Sequence, residues 1–182
     1  MKKVLILVSI ALISYTGSAQ KHKNSLRKIY SSALNYYYKG KKTNVVVEES
    51  TLNVSIVKTN YGKILEKYPK ELPPPIYMDM RQIDSNWAEI LNMAESIKSN
   101  LISYNIPHFK IDSINIQFVK ERGSKNTSGN RVSFSNVILV KHKAIVELNI
   151  SRDVLDGNGY IYFLEKRKGK WVVVSVMPTW IS

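Results

Sequence analysis

Val4 to Ile13 is an apolar run broken only by Ser9, with Met1-Lys2-Lys3 before it and the small residues Gly17-Ser18-Ala19 after it. A positive start, a short apolar centre and a small-residue site predict a cleavable secretory signal over residues 1–19, cut between Ala19 and Gln20. A membrane-crossing helix needs about 20 apolar residues. The run is too short for a stable anchor, no later segment is longer, and there is no cysteine behind it to carry a lipid. The expectation is an exported chain, periplasmic or secreted, whose mature part is a single domain over residues 20–182.

Behind that segment the apolar period becomes helical. Leu26, Ile29, Tyr30, Ala33 and Tyr37 share one face, Arg27, Lys28, Ser31, Asn35 and Lys39 take the others, and Gly40 offers a stop. The spacing predicts a helix over 25–39. Val45-Val46-Val47, and then Leu52, Val54 and Ile56 in alternation, predict extended strand. Residues 60–83 hold Pro73-Pro74-Pro75 and read as a stiff connector, with room for a short helix at 61–68. Trp87, Ile90, Leu91, Ala94, Ile97 and Leu101 then mark a second helical face, with Asn86 and Glu89 placed as a capping box and Pro107 setting the limit near Asn105.

The remainder alternates with period two. Ile114, Ile116 and Phe118 predict a strand with one wet face. Residues 134–140 and 144–150 read as a hairpin around Lys141-His142-Lys143, and 156–159 as a turn. Residues 160–165 and 171–176 read as a second hairpin, whose nearly continuous apolar arms suit central strands. Helices first and strands last predict an α+β fold: an antiparallel β-meander with the two principal helices packed on one face.

Composition changes the picture in two ways. With no cysteine among 182 residues, disulfides and thiol chemistry are excluded. The formal charge of +13 is concentrated early: Lys21, Lys23, Arg27, Lys28, Lys39, Lys41 and Lys42 all come before Glu48, the first acid. In a chain read as exported, this charge points away from nucleic acid and toward an anionic envelope component or glycan. Tyr36, Tyr37 and Tyr38 beside Lys39, Lys41 and Lys42 form a candidate aromatic-basic patch. Lys166, Arg167 and Lys168, at the tip of the last predicted hairpin, form a second basic group.

Catalytic chemistry finds little support. His22, His108 and His142 are far apart and lack the clustered partners of a metal site. There is no nucleophile elbow. Glu48-Glu49 and Asp79/Asp84 are the only close acidic pairs weighed for acid–base work, and neighbours on a strand point to opposite faces. Asp153-x-x-Asp156-Gly157-Asn158-Gly159 departs from calcium-loop spacing and lacks the distal acid. No catalytic residue, metal or cofactor is assigned, and a non-catalytic binding role is favoured over an enzyme.

Gly157-x-Gly159-Tyr160, Leu164-Glu165-Lys166, Gly169-Lys170-Trp171 and Trp180-Ile181-Ser182, preceded by Phe134-Ser135-Asn136-Val137, resemble a C-terminal pattern of small secreted proteins of Gram-negative bacteria. That resemblance implies a fold unit and an exported setting, with no assigned reaction. Some members carry a cysteine pair just before the Gly-x-Gly-Tyr turn; this chain has Ser151 to Asp156 there, so no bridging or redox role carries over. The helix-first, strand-last layout is also similar to NTF2-like and cystatin-like folds. A cone of the NTF2-like kind is the alternative architecture, and an enzyme using its pocket is the alternative function.

Overall fold

The helical face that begins at Leu26 is the inner face of α1 (Lys2–Tyr38), where Leu26, Ile29, Tyr30, Ala33, Leu34 and Tyr38 are buried. Its end lies where Gly40 predicts it: Lys39 and Gly40 both adopt positive φ (49° and 74°), and Lys41 N–H closes back on the Tyr38 carbonyl. The computed structural model describes residues 2–52, 83, 85–96, 103–120, 130–153 and 156–181. After α1 come β1 (Thr43–Glu48), a 3-10 turn (Ser85–Trp87) leading into α2 (Ala88–Ser96), β2 (Ile114–Val119), β3 (Asn130–Phe134), β4 (Ile138–Val140), β5 (Lys143–Asp153), β6 (Asp156–Arg167) and β7 (Lys170–Ile181). The predicted strand over 52–56 beyond Leu52, and the predicted connector over 60–83 except Ile83, lie outside the described residues.

The chain is α+β, but its sheet is mixed rather than an antiparallel meander. The order is β2-β1-β3-β5-β6-β7, with β4 also on β5, and β1 runs parallel to both its neighbours. Val45-Val46-Val47 shows the physical reason. The strand is paired on both edges and covered on both faces, with all three valines nearly inaccessible, which is why it reads as a continuous apolar run. From β3 onward the pairing is antiparallel.

The two helices also occupy opposite faces, correcting the one-face expectation. Ala144, Val146, Leu148 and Ile150 of β5 pack with α1, together with Val45, Val47, Phe134, Tyr162, Leu164 and Trp171. Ile145, next along β5, packs instead with Trp87, Ile90, Leu91 and Ala94 of the second helical segment, together with Ile138, Ile161, Phe163, Val174 and Met177. Successive strand side chains point to opposite faces, so these are two cores on two sides of one sheet. Each fully buried Leu, Ile or Phe contributes roughly 1.5–3 kcal/mol.

Three local expectations also shift. Asp156–Gly159 is not a turn: it begins β6, with Gly157 opposite Ser151 and Gly159 opposite Asn149. β7 is not central but lies last in the sheet order, where Pro178 is tolerated because an outer strand leaves one set of N–H groups unpaired. The first arm of the 134–150 hairpin is interrupted. Phe134 faces Leu148 and Ile138 faces Ile145, leaving residues 135–137 opposite 146–147, a β-bulge.

Candidate functional site

The basic hairpin tip is a tight turn for a local reason. Arg167 pairs with Lys170, and the two residues between them, Lys168 and Gly169, both have positive φ (47° and 79°). A two-residue loop with two left-handed residues is the turn whose twist matches a hairpin. Just inside the tip, Ser32 Oγ of α1 donates to the Trp171 carbonyl at 3.0 Å, so the helix is tied to the start of β7. Lys166 thereby faces the 20–28 stretch of α1.

Between these elements lies an open pocket of about 390 Å³, lined by Gln20, Lys21, Asn24, Ser25, Lys28, Lys166 and Trp171. The four helical residues Lys21, Asn24, Ser25 and Lys28 fall at i, i+3, i+4 and i+7, one polar stripe turned toward the hairpin. Three lysines and no acid line the space. Among the described residues none of the three lysines makes an ion pair; the basic groups that do are His108, Arg131, Lys141, Arg152 and Arg167. Trp171 forms the inner wall at 7% exposure, and its indole Nε1 has no hydrogen-bond partner. The walls offer a cluster of uncompensated positive charge beside amide and hydroxyl groups, an arrangement that attracts an anion.

The two basic groups singled out from sequence are not brought together. Arg167 is engaged by Glu165 at 2.8 Å and Lys168 occupies the exposed turn, so of the tip only Lys166 lines the pocket. Lys39, Lys41 and Lys42 lie exposed beyond the far end of α1, about 16 Å along the helix from Lys28. Lys42 lines a separate shallow opening with Thr43, Asn44, Asp112, Ser113, Ile114 and Asn115. Ala19 and Gln20 are exposed on α1.

The three tyrosines divide by helical angle. Tyr38 is buried and Tyr37 half-buried, their rings meeting edge-on at 4.9 Å, while Tyr36 is 48% exposed and leans edge-on to Tyr162 at 6.1 Å. Tyr160 joins them through Tyr37 at 5.7 Å. Burial pushes the Tyr38 hydroxyl up to about 12, against a weaker downward pull from the Asn130 side chain and Arg152. Burial, reinforced by the neighbouring phenols, pushes Tyr162 further up.

Glu48 and Glu49 diverge as strand geometry requires. Glu48 reaches Arg131 at 3.7 Å, and Glu49 reaches His108 Nε2 at 2.8 Å, with the imidazole stacked on Phe118 at 4.1 Å. Asp79 and Asp84 lie outside the described residues. His142 is exposed at the β4–β5 turn and His22 on α1. Among the described residues no group of three or more His, Cys, Asp or Glu side chains is placed to hold a metal ion.

Lys21, Lys28 and Trp171 were not singled out from sequence as site residues. Their signal was present in the acid-free i, i+3, i+4, i+7 stripe, but such a stripe reads as a solvent face until a second element is known to lie opposite it. No protein-family model matches the chain, and searches of curated proteins and of solved structures find no match either.

Proposed function

We infer that the chain is an exported, non-catalytic domain that binds an anionic envelope component or glycan in the pocket between α1 and the β6–β7 hairpin. The observation that carries this reading is the convergence of Lys21, Lys28 and Lys166, from distant parts of the sequence, around one acid-free space. A solvated turn needs no such convergence. The predicted export signal is compatible with this: among the described side chains of α1, those of Ala19 to Asn24 are exposed and the first buried one is Leu26. Among the described residues no helix is long and apolar enough to cross a membrane.

The test is calorimetric binding of anionic saccharides and anionic vesicles to the exported protein. A Lys21→Gln/Lys28→Gln/Lys166→Gln variant should lose about tenfold or more in affinity, since three charges each contribute about 0.5 kcal/mol or more. Lys39→Gln/Lys41→Gln/Lys42→Gln should bind like the parent. Equal losses in both variants would reduce the reading to diffuse charge attraction, and no binding by the parent would end it.

One observation favours an enzyme as the second reading. Glu147, at 2% exposure, shares the face opposite α1 with Glu48, Arg131, Ser133 and Asn149, an unusually polar patch for a buried sheet. Turnover of a glycoside, ester or phosphate panel by the parent, abolished in a folded Glu147→Gln variant, would promote it.

A further inference from the structure

We propose that removal of residues 1–19 completes the pocket, the α-ammonium of Gln20 joining Lys21, Lys28 and Lys166 to bind a phosphate monoester. This rests on the anion-binding reading above and specifies both the ligand chemistry and the event that makes the site competent. The predicted cut falls at the residue that forms one end of the pocket wall: Gln20 lines it, and Ala19 does not. In the uncut chain α1 runs continuously through this point from Lys2, so the Gln20 nitrogen is an amide inside a helix. Cutting converts that nitrogen to an ammonium. It also makes the first turn of the shortened helix an end, with N–H groups that have lost their acceptors and the positive end of the helix dipole.

The donor set selects the ligand. No arginine lines the pocket, so the planar two-pronged grip that suits carboxylates and phosphates alike is absent and binding falls to lysines. Lysine ammonium groups act as compact point charges, and several arriving from different directions suit a tetrahedral dianion. Lys21 and Lys28 come from two turns of α1 and Lys166 from β6, with Asn24, Ser25 and Gln20 supplying neutral hydrogen-bonding groups between them. The open space of about 390 Å³ exceeds what the phosphate alone occupies. Trp171, buried, closes the inner end, and the space left beyond the phosphate can take the group that carries it.

Three forms of the protein separate the possibilities: the chain from Gln20 purified from exporting cells, the same material after enzymatic cyclisation of Gln20, and the uncut chain in detergent. Cyclisation attaches the α-nitrogen to the side-chain Cδ, forming one C–N bond as ammonia leaves. It removes the positive charge without altering any lysine. Glucose 1-phosphate and phosphatidic acid vesicles serve as probes, with phosphatidylcholine vesicles as the neutral control. The free-amine form should bind about fivefold more tightly than either other form, the effect of one added partly solvated charge. Binding to the sugar phosphate identifies a free phosphate ester, and binding to the vesicles alone identifies a lipid headgroup. Equal affinity of the three forms overturns the role of processing while leaving the lysine pocket standing. Failure of all three to bind any anion removes the pocket reading as well. Mass spectrometry finding a mature N-terminus other than Gln20 also overturns the proposal.

Discussion

The hydroxyl oxygens of Tyr30 and Tyr104 lie 2.6 Å apart, and both phenols pass hydrogen bonds on to the bulge between β3 and β4. Tyr30 donates to the Ser135 carbonyl at 3.2 Å, which commits its one proton, so Tyr104 is the donor between the two rings. Tyr104 in turn accepts from the Val137 N–H at 3.1 Å. Ser135 repairs the interrupted ladder, its N–H donating to the Glu147 carbonyl at 2.9 Å and its Oγ accepting the Glu147 N–H at 2.8 Å. Helix, bulge and the segment around Tyr104 are thus joined by one ordered chain of donors.

Because the chain is shared, its members are energetically coupled. Tyr30→Phe strands the Ser135 carbonyl and should cost about 1–3 kcal/mol, and Tyr104→Phe should cost a similar amount by stranding the Val137 N–H. The double variant should cost less than the sum, with a coupling of at least about 0.5 kcal/mol in a urea-unfolding cycle. Strict additivity would show that the two phenols act separately.

This relationship explains which parts of the fold the sequence discloses. The amphipathic faces of α1 and of the Trp87–Ala94 segment are written in apolar spacing, and Leu26, Ile29, Tyr30, Ala33, Trp87, Ile90, Leu91 and Ala94 are all buried, with Tyr37 half-buried. The sheet pairing is not so written, because Val45-Val46-Val47 records burial on both faces without naming the partner strands. Nor does a helical stripe state which side of a sheet it covers, so α2 was misplaced onto the α1 face. Phe134-Ser135-Asn136-Val137 reads from sequence as part of a regular hairpin arm and as a resemblance. Its physical content emerges with the bulge, where Phe134 fills the core, Ser135 patches the ladder and the Val137 N–H meets Tyr104. The pocket shows the same limit: its lysines are visible, but not the fold that seats Lys166 over Lys21 and Lys28.

Buried phenols set an alkaline limit. Burial raises Tyr30, with Tyr104 adding to the effect, and burial also raises Tyr104, Tyr162 and Tyr38, the last to about 12 from an ordinary 10.0. Below pH 10.0 these phenols are neutral in both folded and unfolded chains, so their contribution is full and constant. Above it the unfolded chain releases phenolic protons that the folded one retains, so stability falls as pH rises toward the folded values. Each phenol that stays protonated, Tyr30 and Tyr162 above all, should cost about 1.4 kcal/mol per pH unit there. Thermal melts should show Tm flat up to about pH 9.5 and falling steeply beyond. Phenolate absorbance from these residues should appear together with unfolding; their titration while the near-ultraviolet dichroism stays native would contradict it.

The Lys168-Gly169 turn should respond to substitution in both directions. Gly169→Ala forces a side chain into a left-handed backbone with φ of 79°, although nothing lies within 4 Å of the added Cβ. The loss of about 1 kcal/mol is therefore conformational rather than steric. Lys168 already tolerates φ of 47°, and Lys168→Asn supplies a residue better suited to it. That variant should gain a few tenths of a kcal/mol in urea unfolding, with no change in anion binding, because Lys168 does not line the pocket.

Trp87 should decide whether the second face survives. It is 2% exposed, meets Phe163 edge-on at 5.8 Å and lies beneath the Lys143 ammonium at 5.4 Å. The described part of α2 rests on this anchor and on Ile90, Leu91 and Ala94, all buried against the sheet. Trp87→Ala should cost about 3–5 kcal/mol. Hydrogen exchange should then accelerate first in Ala88–Ser96, with the amides of Val146, Leu148 and Tyr162 keeping more of their protection. Those residues pack against α1 and lose no contact with Trp87. Uniform acceleration in both regions would mean that the two faces unfold as one unit, and that the sheet transmits the loss rather than insulating one core from the other.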